Sequence, residues 1–162
     1  MYAIRIAVIG ERNASQELLE AAENVGREIA RRKAILICGA MGGVMEAASR
    51  GASSAGGTVV GIIPTQNAAD ANPYVSIPIV TGMGEGRNII VVRSAHVVIS
   101  IGGSYGTLSE IALALRLGLP VVGLHTWTFA REAGDRDPIL RVSDPAEAVD
   151  RALSAVAAIH PS

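Results

Sequence analysis

Short apolar runs alternate along this chain with longer segments in which apolar residues recur every three or four positions. Runs of the first kind are typical of strands, and segments of the second kind are typical of helices. The predicted strands cover residues 3–9, 34–38, 58–63, 75–80, 96–101, 120–124 and 139–142. The predicted helices cover residues 15–32, 44–54 and 86–94, a segment directly after the glycine-rich turn at 102–107, and a last segment that opens at residues 143–145.

Strands and helices therefore take turns along the sequence, and most of the strands are apolar without interruption. Strands of that kind are buried on both faces, as in a parallel sheet with helices on either side. The predicted fold is α/β: a three-layer Rossmann-like sandwich with a mainly parallel sheet, formed by residues 1–162 as one domain. In such sheets ligands bind beyond the carboxyl ends of the strands, near the point where the strand order reverses.

Composition narrows the class of protein. Hydrophobic residues make up 49% of the chain and aromatic residues only 3%, so the core must be aliphatic and rich in alanine. The formal net charge of −1 provides no electrostatic footprint for a nucleic acid or an anionic membrane as a partner. Because the chain shows no secretory signal and no membrane-spanning run, we expect a cytoplasmic location. Its single cysteine, Cys38, excludes an internal disulfide framework and is expected to be a small core residue.

Two of the predicted helices are too apolar for surface helices with one wet face. Residues 89–92 are four bulky aliphatic residues in succession, and the helix after the glycine-rich turn carries leucine or isoleucine at positions 108, 111, 113, 115 and 117. A helix that is apolar all round has to be buried on more than one side. We expect one side of each helix to pack on the sheet and the other on a second subunit, in a homo-oligomer that is a dimer or a tetramer.

The most informative segment is the glycine-rich turn between the strand at 96–101 and the helix that follows it. Such a turn presents unpaired backbone N–H groups and the positive end of the helix dipole at one place, which suits a phosphate. The turn would also serve as a tight connection without a ligand. Its three glycines exceed what a connection needs, because each is less stable than alanine in ordered structure by about 0.5–1 kcal/mol. The residues predicted to bind here are Gly102, Gly103, Ser104, Tyr105, Gly106 and Thr107.

Other glycines stand at the predicted carboxyl ends of earlier strands. They join the same candidate pocket: Gly10, Gly39, Gly42 and Gly43. Residues 39–43 do not match the dinucleotide fingerprint G-x-G-x-x-G, and no P-loop Gly-Lys-Ser/Thr follows either glycine cluster, so NAD is not an expected cofactor. The sequence shows no cluster of metal-ligating residues, and no metal is expected. The expected partner is a phosphorylated small molecule.

Three further side chains are candidates for action on such a ligand. Glu110 lies one helical turn beyond Thr107, close to whatever the turn binds, although an acid there also complements the helix dipole. Arg87 follows a glycine-rich loop, where it either binds a phosphate in bidentate fashion or begins a helix in contact with solvent. His125 follows a strand end, where it either lines the pocket or simply occupies a loop.

These motifs together resemble those of the Lonely Guy superfamily, once labelled "possible lysine decarboxylase", and within it the branch that contains molybdenum-cofactor carrier proteins. The resemblance runs through nearly the whole chain. It rests on the segments CGAMGGVM at 38–45, GGTVVGIIP at 56–64, RN at 87–88 and GGSYGTLSE at 102–110. It implies a pocket for a nucleotide or for a phosphorylated pterin such as molybdenum cofactor.

The resemblance leaves two activities open. Lonely Guy enzymes hydrolyse the N-glycosidic bond of nucleoside 5′-monophosphates, releasing the base and ribose 5-phosphate, and their motif is Pro-Gly-Gly-x-Gly-Thr-x-x-Glu, preceded by an Arg-Lys pair. The residues that match are Arg87, Gly106, Thr107 and Glu110, and those that depart are Gly102 for proline, Ser104 for the second glycine and Asn88 for lysine. In an enzyme the resemblance gives the catalytic roles to Glu110 and Arg87. The Arg-Asn pair resembles the carrier-protein branch, which implies binding without catalysis.

Overall fold

The computed structural model describes residues 2–159, so the domain predicted over 1–162 extends beyond the described part at both ends. The strands are β1 (Arg5–Gly10), β2 (Ile35–Cys38), β3 (Val59–Ile63), β4 (Ile77–Val80), β5 (Val97–Ile101), β6 (Val121–Leu124) and β7 (Leu140–Val142). The helices are α1 (Gln16–Arg31), α2 (Val44–Ser54), α3 (Asn88–Arg93), α4 (Tyr105–Arg116) and α5 (Pro145–Ile159), with 3-10 turns at Ala68–Asp70 and Gly84–Arg87. Within the described residues, no helix is both long and apolar enough to cross a membrane.

The strands form one sheet in the order β4-β3-β2-β1-β5-β6-β7, and every neighbouring pair is parallel. The predicted α/β sandwich is therefore confirmed, with a fully parallel sheet. From β1 the chain builds the sheet outward to one edge through β4, and then continues with β5 on the other side of β1. The carboxyl ends of β1 and β5 consequently flank the point where the strand order reverses, which is where open α/β sheets bind ligands.

Helices cover both faces of the sheet because successive strand residues point to opposite sides. In β1, Ile6 and Val8 face the cluster that contains α1, α2 and α5, whereas Ala7 and Ile9 face the cluster that contains α3 and α4. The core residues are aliphatic, as composition predicts, and three helices cover one face while two cover the other.

The helices α1 and α2 approach each other closely enough to bring their backbones together. A Cβ atom on Gly26 would lie 1.9 Å from the carbonyl oxygen of Ala48, and one on Gly51 would lie 1.8 Å from that of Glu23. The side chain of Arg50 pairs with Glu23 across the same contact at 2.8 Å. These two glycines therefore serve helix packing and fix the position of α2 against the sheet.

Several element boundaries differ from the predictions by one or two residues, and two of the differences have a local cause. The strand predicted from residue 75 begins at Ile77, because the preceding residues form a turn in which the Asn72 side chain accepts a hydrogen bond from the Tyr74 amide at 3.1 Å. The helix predicted over 86–94 is a 3-10 turn followed by the six residues of α3. The 3-10 turn Gly84–Arg87 contains two glycines, and glycine is a poor helix former.

Candidate functional site

A cleft of about 510 Å³ opens at the carboxyl ends of the strands, beside the point where the strand order reverses. We call it the central cleft. Its walls are residues 8–13 at the end of β1, Gly39 after β2, Met45 on α2, the segment around Arg87, and the first two turns of α4. The cleft thus brings together residues from five separate parts of the sequence.

The start of α4 presents a buried hydroxyl to this cleft. Thr107 and Glu110 lie on the buried stripe of the helix, at the three- and four-residue spacing that continues through Ile111 and Ala114. Thr107 is only 2% exposed, and its Oγ1 atom has no hydrogen-bond partner within residues 2–159. The first amides of a helix have no acceptor inside it, and they carry the positive end of the dipole. This end of the cleft can therefore donate several hydrogen bonds to an anion.

Gly102 and Gly103 differ from the expectation of unpaired amides. The Gly102 amide donates to the carbonyl oxygen of Leu124 at 3.1 Å, and the Gly103 amide donates to Glu11 Oε1 at 3.2 Å. Gly102 has a φ of +59°, and a Cβ atom there would lie 2.7 Å from the same Glu11 oxygen. The prediction that the turn leaves its amides unpaired is wrong at these two positions. Their role in ligand binding stays a prediction.

Arg87 is held rigidly in the cleft wall, where it is 7% exposed. Its Nε donates to the carbonyl oxygen of Ile62 at 3.0 Å, one Nη donates to that of Gly39 at 3.1 Å, and the other donates to Asn88 Oδ1. A Cβ atom on Gly39 would lie 2.7 Å from the Arg87 Nη2 atom, so the glycine leaves room for the guanidinium. Because a guanidinium has five N–H groups, further donors remain for a ligand.

Three carboxyl groups and two guanidinium groups line the cleft, from Glu11, Glu85, Glu110, Arg12 and Arg87. Burial raises the pKa of Glu110 to about 7, and the positive charge of Arg87 opposes that rise. Burial lowers the pKa of Arg87, and the nearby charge of Arg12 adds to that lowering. Arg12 lines the cleft, is exposed, and has no ion-pair partner within the described part of the chain. The cleft is therefore suited to an anion beside a carboxyl that is partly protonated at neutral pH.

Not every predicted residue reaches the cleft. Those that line it are Gly10, Gly39, Arg87, Ser104, Gly106, Thr107 and Glu110. Gly42 and Gly43 do not line it, and a Cβ atom on Gly43 would meet the backbone of Glu11 and Arg12. Tyr105 is 81% exposed. Cys38 is buried against Ser49, and burial raises the pKa of its thiol, as suits a core residue.

A second cavity of about 510 Å³ adjoins the central cleft on the other side of Glu11. We call it the tryptophan cavity. Its lining consists of Glu11, Ser15, Glu17, Leu18, Gly102, Gly103, His125, Thr126 and Trp127. Trp127 Nε1 donates to the carbonyl oxygen of Ser104 at 3.2 Å, and the Trp127 ring lies 5.8 Å from the ring of Tyr105.

Sequence reasoning places residues 10–13 and 125–128 at carboxyl strand ends, but it assigns no role to Glu11, Arg12 or Trp127. The available signal was their position, because each follows the carboxyl end of a strand within a few residues. In the described residues no group of three or more His, Cys, Asp or Glu side chains is arranged to hold a metal ion.

Comparisons with known proteins agree on one group of relatives. The family model described as the SLOG cluster4 family matches residues 3–149. An uncharacterized protein of Archaeoglobus fulgidus is 45% identical over 124 residues, which cover 76% of this chain and 82% of that protein. The SLOG match spans the whole region that carries the central cleft.

Solved structures extend these comparisons. The molybdenum cofactor binding protein of Rippkaea orientalis matches with a TM-score of 0.85 and 34% identity, covering 96% of this chain and 98% of that one. The molybdenum cofactor carrier protein of Chlamydomonas reinhardtii matches with a TM-score of 0.86 and 33% identity, covering 96% and 99%. The DNA processing protein A of Streptococcus pneumoniae, at 17% identity and a TM-score of 0.72 over 92% of this chain and 61% of that one, shares the fold alone.

Proposed function

The chain belongs to the SLOG cluster4 family, and on that premise we propose that it binds a phosphorylated small molecule in the central cleft. The resemblance to the Lonely Guy superfamily, near its carrier-protein branch, is confirmed. The similar structures from Rippkaea and Chlamydomonas are a molybdenum cofactor binding protein and a molybdenum cofactor carrier protein. A phosphorylated pterin of that kind, or a nucleotide, is the ligand class that we propose for this chain.

The observation that carries the proposal is the unpaired hydroxyl of Thr107. A buried polar group without a partner destabilises a protein by about 1–3 kcal/mol, so native structures rarely contain one without a reason. Thr107 lies in the first turn of α4, beside amides that have no acceptor within the helix. A phosphate oxygen in the cleft would satisfy the hydroxyl and these amides together.

The charges of the cleft support the same ligand. The remaining N–H groups of Arg87 and the side chain of Arg12 supply positive charge in the same cleft as the start of α4. Hydrogen bonds from a guanidinium to a phosphate are about twice as strong as neutral ones. Since Arg87 is fixed by the carbonyl oxygens of Ile62 and Gly39, it loses little conformational entropy when a ligand arrives.

Thr107→Val tests the proposal, because valine keeps the shape of threonine and removes only the hydroxyl. We expect the variant to bind a nucleoside 5′-monophosphate about tenfold more weakly, while the unliganded protein becomes about 1 kcal/mol more stable. Isothermal titration calorimetry with guanosine 5′-monophosphate and with inorganic phosphate measures the first effect, and denaturant unfolding measures the second.

Two companion variants make the result specific. Thr107→Ser keeps a hydroxyl at this position and should therefore bind as the parent protein does. Ser109→Ala removes a hydroxyl from the same helix, where it is exposed and bonded to the carbonyl oxygen of Gly106, and should leave the affinity unchanged. If Thr107→Val binds both phosphate probes as tightly as the parent protein, the phosphate is not held here and the proposal fails.

A second function, hydrolysis of a nucleoside 5′-monophosphate, is favoured by the raised pKa of Glu110. A carboxyl with a pKa of about 7 is suited to act as a general base or acid near neutral pH. In that reaction the bond between ribose and base breaks, a water molecule adds to the sugar carbon, and the base leaves with a proton. Glu110 would activate the water and stabilise the positively charged sugar of the transition state.

The two functions differ in whether free base is released from a nucleoside 5′-monophosphate. Chromatography of a panel of these nucleotides, incubated with the protein, detects the free base. An enzyme would release base with the parent protein and lose that activity by at least about 100-fold in Glu110→Gln, the loss typical when a general acid or base is removed. Ser109→Ala should keep it, because Ser109 is exposed on α4, bonded to the carbonyl oxygen of Gly106, and lines neither cavity. Binding without any release in the parent protein excludes the hydrolase and leaves the binding function.

We also propose that the protein is a homo-oligomer that associates through the sheet face covered by α3 and α4. On this face Ile77 and Ile79 of β4 are exposed, in register with Val60 and Ile62 of β3. Several apolar side chains of α3, of α4 and of the residue after α4 are only half-buried, although most of them also contact the core on this face: Ile89, Ile90, Leu113, Leu115 and Leu117. Light scattering after size-exclusion chromatography measures the subunit number.

The cytoplasm is the location that we propose along with this function. The one cysteine is free and buried, so the fold does not depend on an oxidising compartment. A fluorescent fusion expressed in the native host, imaged with a membrane stain, tests the location.

A further inference from the structure

Glu11 stands between two cavities at the point where the strand order reverses. It follows β1, and the hydrogen bond from the Gly103 amide to its Oε1 atom ties it to the segment that follows β5. Glu11 lines both the central cleft and the tryptophan cavity. Its carboxylate is thus fixed by one oxygen, and the second oxygen has no partner within residues 2–159. A ligand that extends from one cavity into the other would pass Glu11, which lines both.

The two cavities differ in the groups that they offer. The central cleft has two arginines and the start of α4, whereas the tryptophan cavity has no lysine or arginine in its described lining. It offers the indole of Trp127 and the carboxylates of Glu11 and Glu17. A planar ring that stacks on indole and donates hydrogen bonds to a carboxylate fits these walls, and a phosphate does not.

Contacts within the protein already hold the indole of Trp127 in place before any ligand binds. Its Nε1 atom is bonded to the carbonyl oxygen of Ser104, and the backbone carbonyl of Trp127 accepts a hydrogen bond from Arg141. A Cβ atom on Gly103 would lie 3.1 Å from the Trp127 ring, so the glycine leaves room for the indole at this position. Trp127 is also the single tryptophan among few aromatic residues in the chain.

We propose that the tryptophan cavity is the subsite for the heterocycle of the ligand, and that Glu11 selects a ring bearing the 2-amino-4-oxo-pyrimidine edge of guanine or a pterin. This inference rests on the proposed function, because the phosphate of the same ligand lies in the central cleft. The edge carries a ring N–H and an amino group side by side, and both point toward an acceptor. The free oxygen of Glu11 accepts from them, while Trp127 stacks on the ring.

Adenine is rejected for a chemical reason. Its corresponding edge presents a ring nitrogen with a lone pair, which a carboxylate repels, and it lacks the 2-amino group. Hypoxanthine keeps the ring N–H and lacks only the amino group. A hydrogen bond to a charged acceptor changes affinity by roughly 10- to 100-fold, so each lost donor should be readily measured.

The test is a titration of the parent protein with guanosine, inosine and adenosine 5′-monophosphates, followed by the fluorescence of Trp127. We expect affinity to fall about tenfold at each step from guanosine to inosine to adenosine, and the guanosine nucleotide to quench the fluorescence. The phosphate ester of 6-hydroxymethylpterin should bind at least as well as the guanosine nucleotide, and the comparison shows which of the two rings is preferred. Equal affinity for all three nucleotides overturns the proposal.

The variant Glu11→Gln tests the role of the Glu11 carboxylate directly. Its side-chain oxygen still accepts from the Gly103 amide, so the loop keeps its bond, but an amide NH₂ replaces the free oxygen. We expect this variant to bind the guanosine nucleotide about 10- to 100-fold more weakly and to favour adenosine, whose ring nitrogen accepts from the NH₂. Glu46→Gln, on α2 and outside both cavities, should keep the parent order.

The experiment separates this inference from the proposed function. If Thr107→Val weakens all three nucleotides but Glu11→Gln changes none of their relative affinities, the phosphate site stands and the heterocycle subsite is wrong. If no phosphate-containing probe binds the parent protein, the proposed function itself fails. An unchanged guanosine affinity in Trp127→Leu, measured by calorimetry, also overturns the stacking role, because loss of a stacked ring should weaken binding about tenfold.

Discussion

Glu110 lies in the central cleft with 9% of its surface exposed, and burial raises the pKa of its carboxyl to about 7 from an ordinary value of 4.5, against the opposing charge of Arg87. The folded protein therefore binds this proton more tightly than the unfolded chain does. Stability from this group is fully present below the unfolded pKa and is lost as the pH rises through the folded pKa. We predict a loss of about 3 kcal/mol in the free energy of unfolding between roughly pH 4.5 and 8.

Denaturant unfolding across that pH range, for the parent protein and Glu110→Gln, measures the effect. Glutamine has no proton to lose, so the variant should show a flatter profile and should be the more stable protein at pH 8. The difference between the two profiles isolates Glu110 from other titrating groups, among them Glu28, whose pKa is lowered by a hydrogen bond from the Arg32 side chain. Glu85→Gln, an exposed carboxylate in the same cleft, should leave the profile as it is; parallel profiles for Glu110→Gln would contradict the prediction.

At the scale of helices and strands, the features predicted correctly are those that depend on neighbours in sequence. Short, mostly apolar runs identified β1, β2, β3, β5 and β6, because a strand buried on both faces of a parallel sheet needs such a run. The pairing of Thr107 with Glu110 followed from helical spacing alone, and both lie on the buried stripe of α4. The alternation of strand and helix was enough to predict the parallel sheet.

The features that could not be predicted depend on which strands become neighbours. The hydrogen bond between Gly103 and Glu11 joins residues 92 positions apart, and it exists only because β5 lies beside β1. Arg87 is fixed by the carbonyl oxygens of Ile62 and Gly39, at the ends of strands that precede it by 25 and 48 positions. Spacing along the chain carries no signal for such contacts, so the turn was predicted with free amides where the fold supplies a carboxylate.

In the whole molecule, helices cover the two faces of the sheet unequally. The helices α1, α2 and α5 lie on one face, and α3 and α4 lie on the other, where α3 has only six residues. The exposed isoleucines of β4 and the half-buried apolar side chains of α3 and α4 share this second face. A two-fold axis through this face would bring the same apolar patch of two subunits together, so the patch would be buried in both copies.

Neighbouring residues of β4 offer a matched test of that assembly. Ile79 is 43% exposed and points to the face with α3 and α4, in register with Ile62, whereas Val80 is 45% exposed and points to the opposite face, in register with Ile63. Burial of an isoleucine contributes about 1.5–3 kcal/mol, so placing a charge at both copies in a two-fold interface should raise the dissociation constant at least about 100-fold. We predict that Ile79→Glu elutes as a monomer and that Val80→Glu keeps the parent mass in light scattering. Because the two variants add the same charge to the same edge strand, a general loss of stability would affect both; identical masses for the two would place the interface elsewhere.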